Sequence, residues 1–357
     1  MNEANKSKSN LIQQYSDTGV DIHSVSNFIN FIKLTNHTAN KGTMDEIGDF
    51  AGLFNINKYN YKEPILTASC DGVGSKLKIA IEANLYKYIG IDLVAMCIND
   101  IITKGAKPLF FLNYFAVNKL APDRDTEIIK SIIDGCKIAR CSLMGGETAQ
   151  MSDLYKNKEF DLAGFAVGIV EKEKILPEKN LKNGDAIIGL HSSGLHANGF
   201  SLVRKIIEEN NINIQNLAPW NTDMSIAEIL LSPTIIYSSI IQKALNKLTG
   251  IKAISNITGG GITGNLSRIL PDDLSANIEL NKFPISGLFR WLKNQLRAED
   301  EDMPTIFNCG IGMAIITDRQ YAEEICNFFN QSQQPASIIG KLTNKATSPV
   351  IYKGILP

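Results

Sequence analysis

Strand-like and helix-like segments alternate along the whole 357-residue sequence, with no repeat of solenoid length and no low-complexity tract. This alternation predicts a mixed α/β protein. A chain of this length exceeds what one hydrophobic core usually supports, so two domains are expected. The charged, proline-containing stretch at 171–184 predicts the boundary, with domains at 1–172 and 173–357. Candidate strands lie at 64–68, 109–116, 161–170, 185–190, 251–256 and 310–316.

The composition limits the classes of partner. The 36 basic and 37 acidic residues give a net charge of -1, which offers no electrostatic footprint for nucleic acid or an acidic membrane surface. A small-molecule partner is therefore expected. The sequence has no long apolar run and no signal peptide, so we expect a cytoplasmic protein without a membrane span. Its six cysteines form no CxxC pair, which favours buried free thiols over disulfides or zinc.

The sequence SCDGVGSK follows the first predicted strand and contains the groups that hold a metal-bound polyphosphate. Gly72 and Gly74 allow backbone N–H groups to approach an anion, and Ser75 supplies a hydroxyl. Lys76 supplies a positive charge for phosphate oxygens, and Asp71 can bind the magnesium that accompanies a nucleotide. The spacing is not that of a Walker A loop, and a simple tight turn is the alternative.

A helix is predicted at 90–104, where one face is polar. At 100° per residue, Asp92, Asn99 and Thr103 lie close together, with Asp100 at the edge of the group. Solvated surface is the alternative interpretation of such a face. The opposite, core-facing stripe comprises Ile91, Val94, Ala95, Ile98, Ile101 and Ile102.

A second acidic signal is GGET, at the end of a short apolar run. Gly145 and Gly146 permit close approach to a ligand while Glu147 projects, although a structural turn is the alternative. Asp71, Asp100 and Glu147 thus become three candidate magnesium ligands from three segments. Hard oxygen ligands suit magnesium better than zinc or iron.

The second half contains two glycine-rich loops. The loop SSGLHANG joins the predicted strand at 185–190 to a helix that begins near Phe200, an arrangement typical of phosphate sites. His196 in this loop can exchange a proton near neutral pH, or it has a structural role. The loop TGGGITGN precedes a predicted helix at 266–270, and its glycines favour close ligand contact.

Taken together, these segments resemble the aminoimidazole ribonucleotide synthetase family, also called phosphoribosylformylglycinamidine cyclo-ligases. The likeness runs from about Tyr15 to the last strand region. It is carried by GVDI, DGVGSKL, GIDLVAMCINDIITKGAKPLFFLNYFA, MGGET, DLAGFAVGIVEK, SSGLHANGFSLVRK, TGGGITGNLSRILP and FNCGIGM.

The resemblance implies an ATP-dependent ring closure in purine biosynthesis, which converts formylglycinamidine ribonucleotide to aminoimidazole ribonucleotide and releases ADP and phosphate. It also implies the fold: an α/β (α+β) two-domain cyclo-ligase fold whose N-terminal half binds ATP and contributes strands to a β-barrel in a homodimer. The C-terminal half is expected to be an α/β sandwich-like, substrate-binding domain.

The resemblance assigns roles to individual residues. Asp71, Asp100 and Glu147 are implied as Mg²⁺ ligands, and His196, Lys76 and Asn198 as catalytic residues. The implied ATP-binding residues are Lys33, Asp71, Gly72, Gly74, Ser75, Lys76, Asn99, Asp100, Gly145 and Gly146. The implied substrate-binding residues are Ser192, Ser193, Gly194, His196, Asn198, Thr258, Gly259, Gly260 and Gly261.

Some positions depart from the family pattern. Residues 45–52 replace three glycines of a glycine-rich loop, two of them by acidic residues, which would repel a polyphosphate unless they point away. Asn113 and Gln150 stand where the family carries carboxylates, and Ser75 replaces threonine. Alternatives therefore stay open: another ATP user related to formylglycinamidine synthetase, selenophosphate synthetase, thiamine-phosphate kinase or a hydrogenase maturation factor, or a nucleotide-binding homologue without turnover.

Overall fold

The computed structural model describes residues 22–45, 47–176 and 180–357. Most of the GVDI motif and Glu46 therefore lie outside the described residues. The described chain forms two mixed β-sheets, one of four strands within 64–171 and one of six strands within 186–353, each packed with helices. The predicted two-domain α/β class is confirmed. The predicted boundary at 172/173 falls between the two sheets and remains a prediction.

The elements follow one another in chain order. In the first half they are α1 (Ile22–Thr35), β1 (Pro64–Gly72), α2 (Lys76–Ala83), α3 (Ile89–Ile102), β2 (Lys107–Val117), α4 (Pro122–Ala139), β3 (Ser142–Gln150) and β4 (Phe160–Glu171). In the second half they are β5 (Ala186–His191), α5 (Phe200–Glu209), α6 (Ile226–Leu230), α7 (Ser238–Lys247), β6 (Ile251–Asn256), α8 (Gly261–Leu266), β7 (Leu274–Glu279), α9 (Gly287–Leu296), α10 (Met303–Ile306), β8 (Ile311–Thr317), α11 (Ala322–Gln331), β9 (Ala336–Asn344) and β10 (Val350–Lys353).

The first sheet has the strand order β1-β4-β2-β3, and only the β2–β3 pair is parallel. One face is covered by α3 and by the helices packed on it. Alternate residues of β4, such as Leu162 and Ala166, are therefore buried. The other face is open and partly apolar. Leu66, Cys70 and Phe165 are exposed on it.

The second sheet has the order β10-β7-β9-β5-β8-β6, in which β10 is parallel to β7 and the other pairs are antiparallel. All seven residues of the inner strand β8, Ile311–Thr317, are buried. One apolar core is continuous between the two halves, since Ile98 of α3 and Tyr237 belong to the same cluster of buried residues.

Several sequence expectations change in detail. The strand after Ser142 continues through Glu147 to Gln150, because it pairs with β2 along its length. The helix expected at 266–270 lies instead at Gly261–Leu266, where Gly260 in a left-handed conformation (φ 84°) is its N-cap, and residues 267–270 are not helical. Strands β7, β9 and β10 were not predicted. All six cysteines are free, and only Cys70 is exposed. Among the described residues, no helix has the length and apolar character required to span a bilayer.

Candidate active site

The polar face of α3 is not solvated, because it packs against the C-terminal half. Asp92 Oδ1 accepts hydrogen bonds from the N–H and the hydroxyl of Thr234, at 2.8 and 2.6 Å. Asn99 donates to the carbonyl of Ile235 (2.8 Å) and accepts from the N–H of Tyr237 (3.0 Å). Asn99 is therefore a contact between the two halves. This corrects its expected role beside the phosphates, since both ends of its buried amide are occupied.

Asp100 lies where the two halves meet and stays partly exposed. Its Oδ1 accepts a hydrogen bond from the side chain of Asn256, at the end of β6 (2.8 Å), and its Oδ2 accepts one from the Ser69 hydroxyl of β1 (3.3 Å). The next residues after Asn256 lead into the TGGG loop. One carboxylate is thus placed at the start of a predicted substrate loop.

Asp71 lies in β1, on the helix-covered face of the sheet and close to Asp100. Burial raises the pKa of Asp71, the N–H of Gly72 (2.7 Å) opposes that rise, and the negative charge of Asp100 adds to it. Two neighbouring carboxylates that repel each other provide hard oxygen ligands for a divalent cation. Both carboxylates are partly exposed where Asp100 contacts Asn256 of the C-terminal half, and we call this boundary the cleft between the halves.

Glu147 does not join the two aspartates within one chain. Asp71, Gly164, Asn113 and Gly146 form one row across the sheet, which spans three strand spacings, about 14 Å. Glu147 pairs with the next residue of β2 and therefore points to the opposite face. The described part of the chain holds no group of three metal-binding side chains. The expected convergence of three carboxylates is wrong for a single chain.

Glu147 instead borders a separate cleft of about 520 Å³ at the edge of the first sheet. The end of Lys33 lies against Gly48 at the same place, so the expected nucleotide-binding residues divide into two groups. The Asp45 carboxylate accepts a hydrogen bond from the N–H of Leu53 (2.9 Å), so it is bonded within its own loop. Also lining the cleft are Asp49, Asn113, Gly145, Gly146 and Thr148.

Lys76 cannot contact a phosphate in this structure. Its side chain is fully buried, and its ammonium group donates to Asp92 (2.9 Å), to the carbonyl of His196 (2.9 Å) and to that of Ser232 (2.7 Å). An ammonium group has three N–H donors, so none remains. This corrects the catalytic and phosphate-binding roles expected of Lys76. The preceding Gly74 has open space around it, and the Ser75 hydroxyl lies 3.1 Å from that of Ser201 across the two halves.

His196 is not placed to exchange protons near neutral pH. It is 3% exposed, and burial together with the nearby positive charge of Lys76 lowers its pKa to about 3. Its Nε2 accepts the N–H of Ser193 at 3.3 Å, so the neutral ring stabilises its own loop. The catalytic expectation for His196 is therefore corrected to a structural role.

The two predicted substrate loops do come together. The Asn198 amide lies near Gly259, and its nitrogen is 3.7 Å from the sulfur of Met96 on α3. Gly259 and Gly260 are exposed beside it, whereas the Thr258 hydroxyl is bonded within its loop.

Asn308 joins the SSGLHANG loop to the FNCGIGM segment. It donates to the carbonyl of Gly194 (2.9 Å), while the hydroxyl of Ser192 donates to the same carbonyl (2.8 Å). The Ser193 hydroxyl donates to the carbonyl of Pro233. The sequence analysis gave no role to Asn256, which lies just before the TGGG loop, or to Asn308, which lies within the FNCGIGM motif.

Comparison with known proteins adds a family match in both halves. A profile described as "AIR synthase related protein, N-terminal domain" matches residues 48–170, and one described as "AIR synthase related protein, C-terminal domain" matches residues 182–353.

Three solved structures share the fold. Thiamine-monophosphate kinase from Stenotrophomonas maltophilia is 16% identical, with a TM-score of 0.66 over 92% of this chain and 96% of that one. Hydrogenase maturation protein HypE in complex with ATP is 16% identical, with a TM-score of 0.64 over 94% and 91%. T. maritima PurL complexed with AMPPCP is 13% identical, with a TM-score of 0.54 over 82% of this chain and 43% of that one. At these identities the likeness shows the fold alone.

Proposed function

Because the chain belongs to the AIR synthase-related family, we propose that it is an ATP-dependent enzyme that closes the ring of formylglycinamidine ribonucleotide to give aminoimidazole ribonucleotide. One observation carries this proposal. The side chain of Asn256, which precedes the TGGG loop, donates to Asp100, whose neighbour is Asp71. The proposed phosphate-handling carboxylates and the proposed substrate loops therefore meet at one cleft.

The chemistry requires that a poor leaving group be activated. ATP transfers its terminal phosphoryl group to the formamide oxygen, so an O–P bond forms and ADP leaves. The amidine nitrogen of the same substrate then attacks the activated carbon, and the former formamide oxygen departs as part of phosphate. Mg²⁺ held by Asp71 and Asp100 would neutralise charge on the transferred group. The backbone of Gly259 and Gly260 and the amide of Asn198 would orient the ribonucleotide.

A homodimer with the implied barrel would bring the strand that carries Glu147 next to the proposed site of the second chain. The free edges of the four-stranded sheet are β1 and β3, and closure into a barrel removes such edges by pairing them with another sheet. If β1 of one protomer pairs with β3 of its partner, the strand that carries Asp71 lies beside the strand that carries the partner subunit's Glu147. The exposed apolar side chains of the open sheet face support a homodimer of this kind.

Mixing two variants tests whether the site is shared. Asp71→Asn and Glu147→Gln are each expected to be inactive alone. After random exchange of subunits, half of the dimers are hybrids with one intact site, so about a quarter of wild-type activity returns. A mixture that stays inactive, although hybrids are detected by mass spectrometry, contradicts the shared site.

A second candidate is phosphoryl transfer to a different small molecule. It is favoured by the fold likeness to a thiamine-monophosphate kinase and to HypE over more than nine-tenths of this chain. ADP release should be measured with formylglycinamidine ribonucleotide, with thiamine monophosphate and with ATP alone, in magnesium and then in excess chelator. The cyclo-ligase proposal expects ADP only with the first compound and only with magnesium. Equal ADP release without that compound contradicts it.

A further inference from the structure

A buried ion pair lies between the two halves of the protein, outside the groups assigned to the chemistry. Lys76 of α2 and Asp92 of α3 are both fully buried, with 2.8 Å between Nζ and Oδ2. Both residues belong to the N-terminal half. The remaining partners of the pair, however, belong to the C-terminal half.

The C-terminal partners come from two separate segments. The ammonium group of Lys76 donates to the carbonyls of His196 and Ser232, which lie 120 and 156 positions away in the sequence. Asp92 also binds the segment that contains Ser232, because it accepts hydrogen bonds from the N–H and the hydroxyl of Thr234. Each of the two charges therefore ties the C-terminal half to a different helix of the N-terminal half.

The bond to the His196 carbonyl fixes a residue in an uncommon conformation. His196 has φ 61°, in the left-handed region that residues with a side chain seldom adopt. Its neighbours on either side in the SSGLHANG loop are buried, and two positions later Asn198 reaches the cleft near Gly259. The placement of Asn198 thus depends on how the backbone at 196 is held.

We propose that Lys76 is a positioning residue: paired with Asp92, it holds the SSGLHANG loop in the conformation that presents Asn198 to the cleft. A charge so deeply buried is costly unless it is fully paired, and this ammonium group donates to Asp92 and to two carbonyls of the C-terminal half. The effect on turnover rests on the proposed function. The effect on the loop does not.

Three variants separate positioning from stability. Lys76→Met leaves Asp92 without its cation, and Asp92→Asn leaves Lys76 without its anion, so either can impair folding. The double variant Lys76→Met with Asp92→Asn removes both charges and keeps an oxygen for Thr234, so it is expected to fold. Lys78→Met is the matched control, because Lys78 lies on the same helix in an exposed pair with Glu159.

Hydrogen exchange of the double variant is the first measurement. Amides at 193–198 are expected to exchange at least about tenfold faster, which corresponds to the loss of one hydrogen bond to a charged group. Amides of α9, whose residues make no hydrogen bond to Lys76 or Asp92, should keep their wild-type rates, as should all amides of Lys78→Met. Unchanged exchange at 193–198 overturns the proposal, and so does a uniform rise that includes α9.

Kinetics then test the consequence for the reaction. The double variant is expected to raise KM for the ribonucleotide, or to lower kcat, by about tenfold, while its Kd for ATP stays within about twofold of wild type. Faster exchange with unchanged KM and kcat contradicts the positioning of Asn198. If wild-type protein does not act on the ribonucleotide, the proposed function fails, and the exchange data alone decide the role of Lys76.

Discussion

Protonation of His196 should couple the stability of this protein to pH. The native imidazole has a pKa of about 3, because burial and the charge of Lys76 disfavour its cation, whereas the usual value is 6.5. Between pH 3 and pH 6.5, the His196 imidazole is therefore protonated in the unfolded chain and neutral in the folded chain. Stability is complete above pH 6.5 and is lost as the pH falls from 6.5 toward 3. At pH 5, which is about 1.5 units below the unfolded pKa, the loss is about 2 kcal/mol.

Urea unfolding of wild type and His196→Asn at pH 7.5 and pH 5 isolates this contribution. Asparagine tolerates the left-handed conformation at this position and has no titrating group. Other groups, such as Asp92 and Asp125 with raised pKa values, titrate in both proteins and cancel in the difference. The stability advantage of wild type should shrink by about 2 kcal/mol between pH 7.5 and pH 5. A constant difference would refute the buried, neutral histidine.

Three further outcomes are expected. Asp100→Asn should lower kcat for ADP release at least about 100-fold with unchanged stability to urea, because a metal ligand is lost from a partly exposed site. The control variant Asp134→Asn, at an exposed position, should leave kcat unchanged. A decrease of tenfold or less in Asp100→Asn excludes Asp100 from the metal site. Gly146→Ala should lower the free energy of unfolding by about 1–3 kcal/mol, because the new methyl group would collide with the Asn113 carbonyl. The control variant Gly264→Ala, in open surroundings, should not lower it. Equal stabilities of the two variants would contradict the pairing of β2 with β3. In the proposed dimer Cys70 is covered, so a native thiol titration should label no cysteine quickly, and one fast thiol per chain would argue against the barrel.

The sequence allowed the fold class and the polar face of α3 to be predicted, because periodicity records which side of an element is apolar. It did not reveal what covers that face. Asp92 and Asn99 contact residues 142 and 136 positions away, and one sequence contains no signal for such pairings. The expected solvated or ligand-binding face is therefore a contact between the two halves, apart from Asp100 at its end.

Lys76 shows why a local motif misleads. Glycines followed by serine and lysine are typical of phosphate loops, yet this lysine begins a helix whose first residue points into the interior. Asp92, one of the residues assigned to the polar face, is its counter-charge. Glu147 shows a different limit. Its motif continues as a strand, and strand alternation then places the carboxylate on the face opposite Asp71.

The most direct test follows one oxygen atom. Formylglycinamidine ribonucleotide labelled with ¹⁸O in its formyl group should be incubated with the enzyme, ATP and magnesium, and the released phosphate analysed by mass spectrometry. If ATP phosphorylates the formamide oxygen before ring closure, each phosphate carries one ¹⁸O atom, and Asp100→Asn slows its formation at least about 100-fold. Phosphate that contains only the oxygen of water or of ATP would contradict that step.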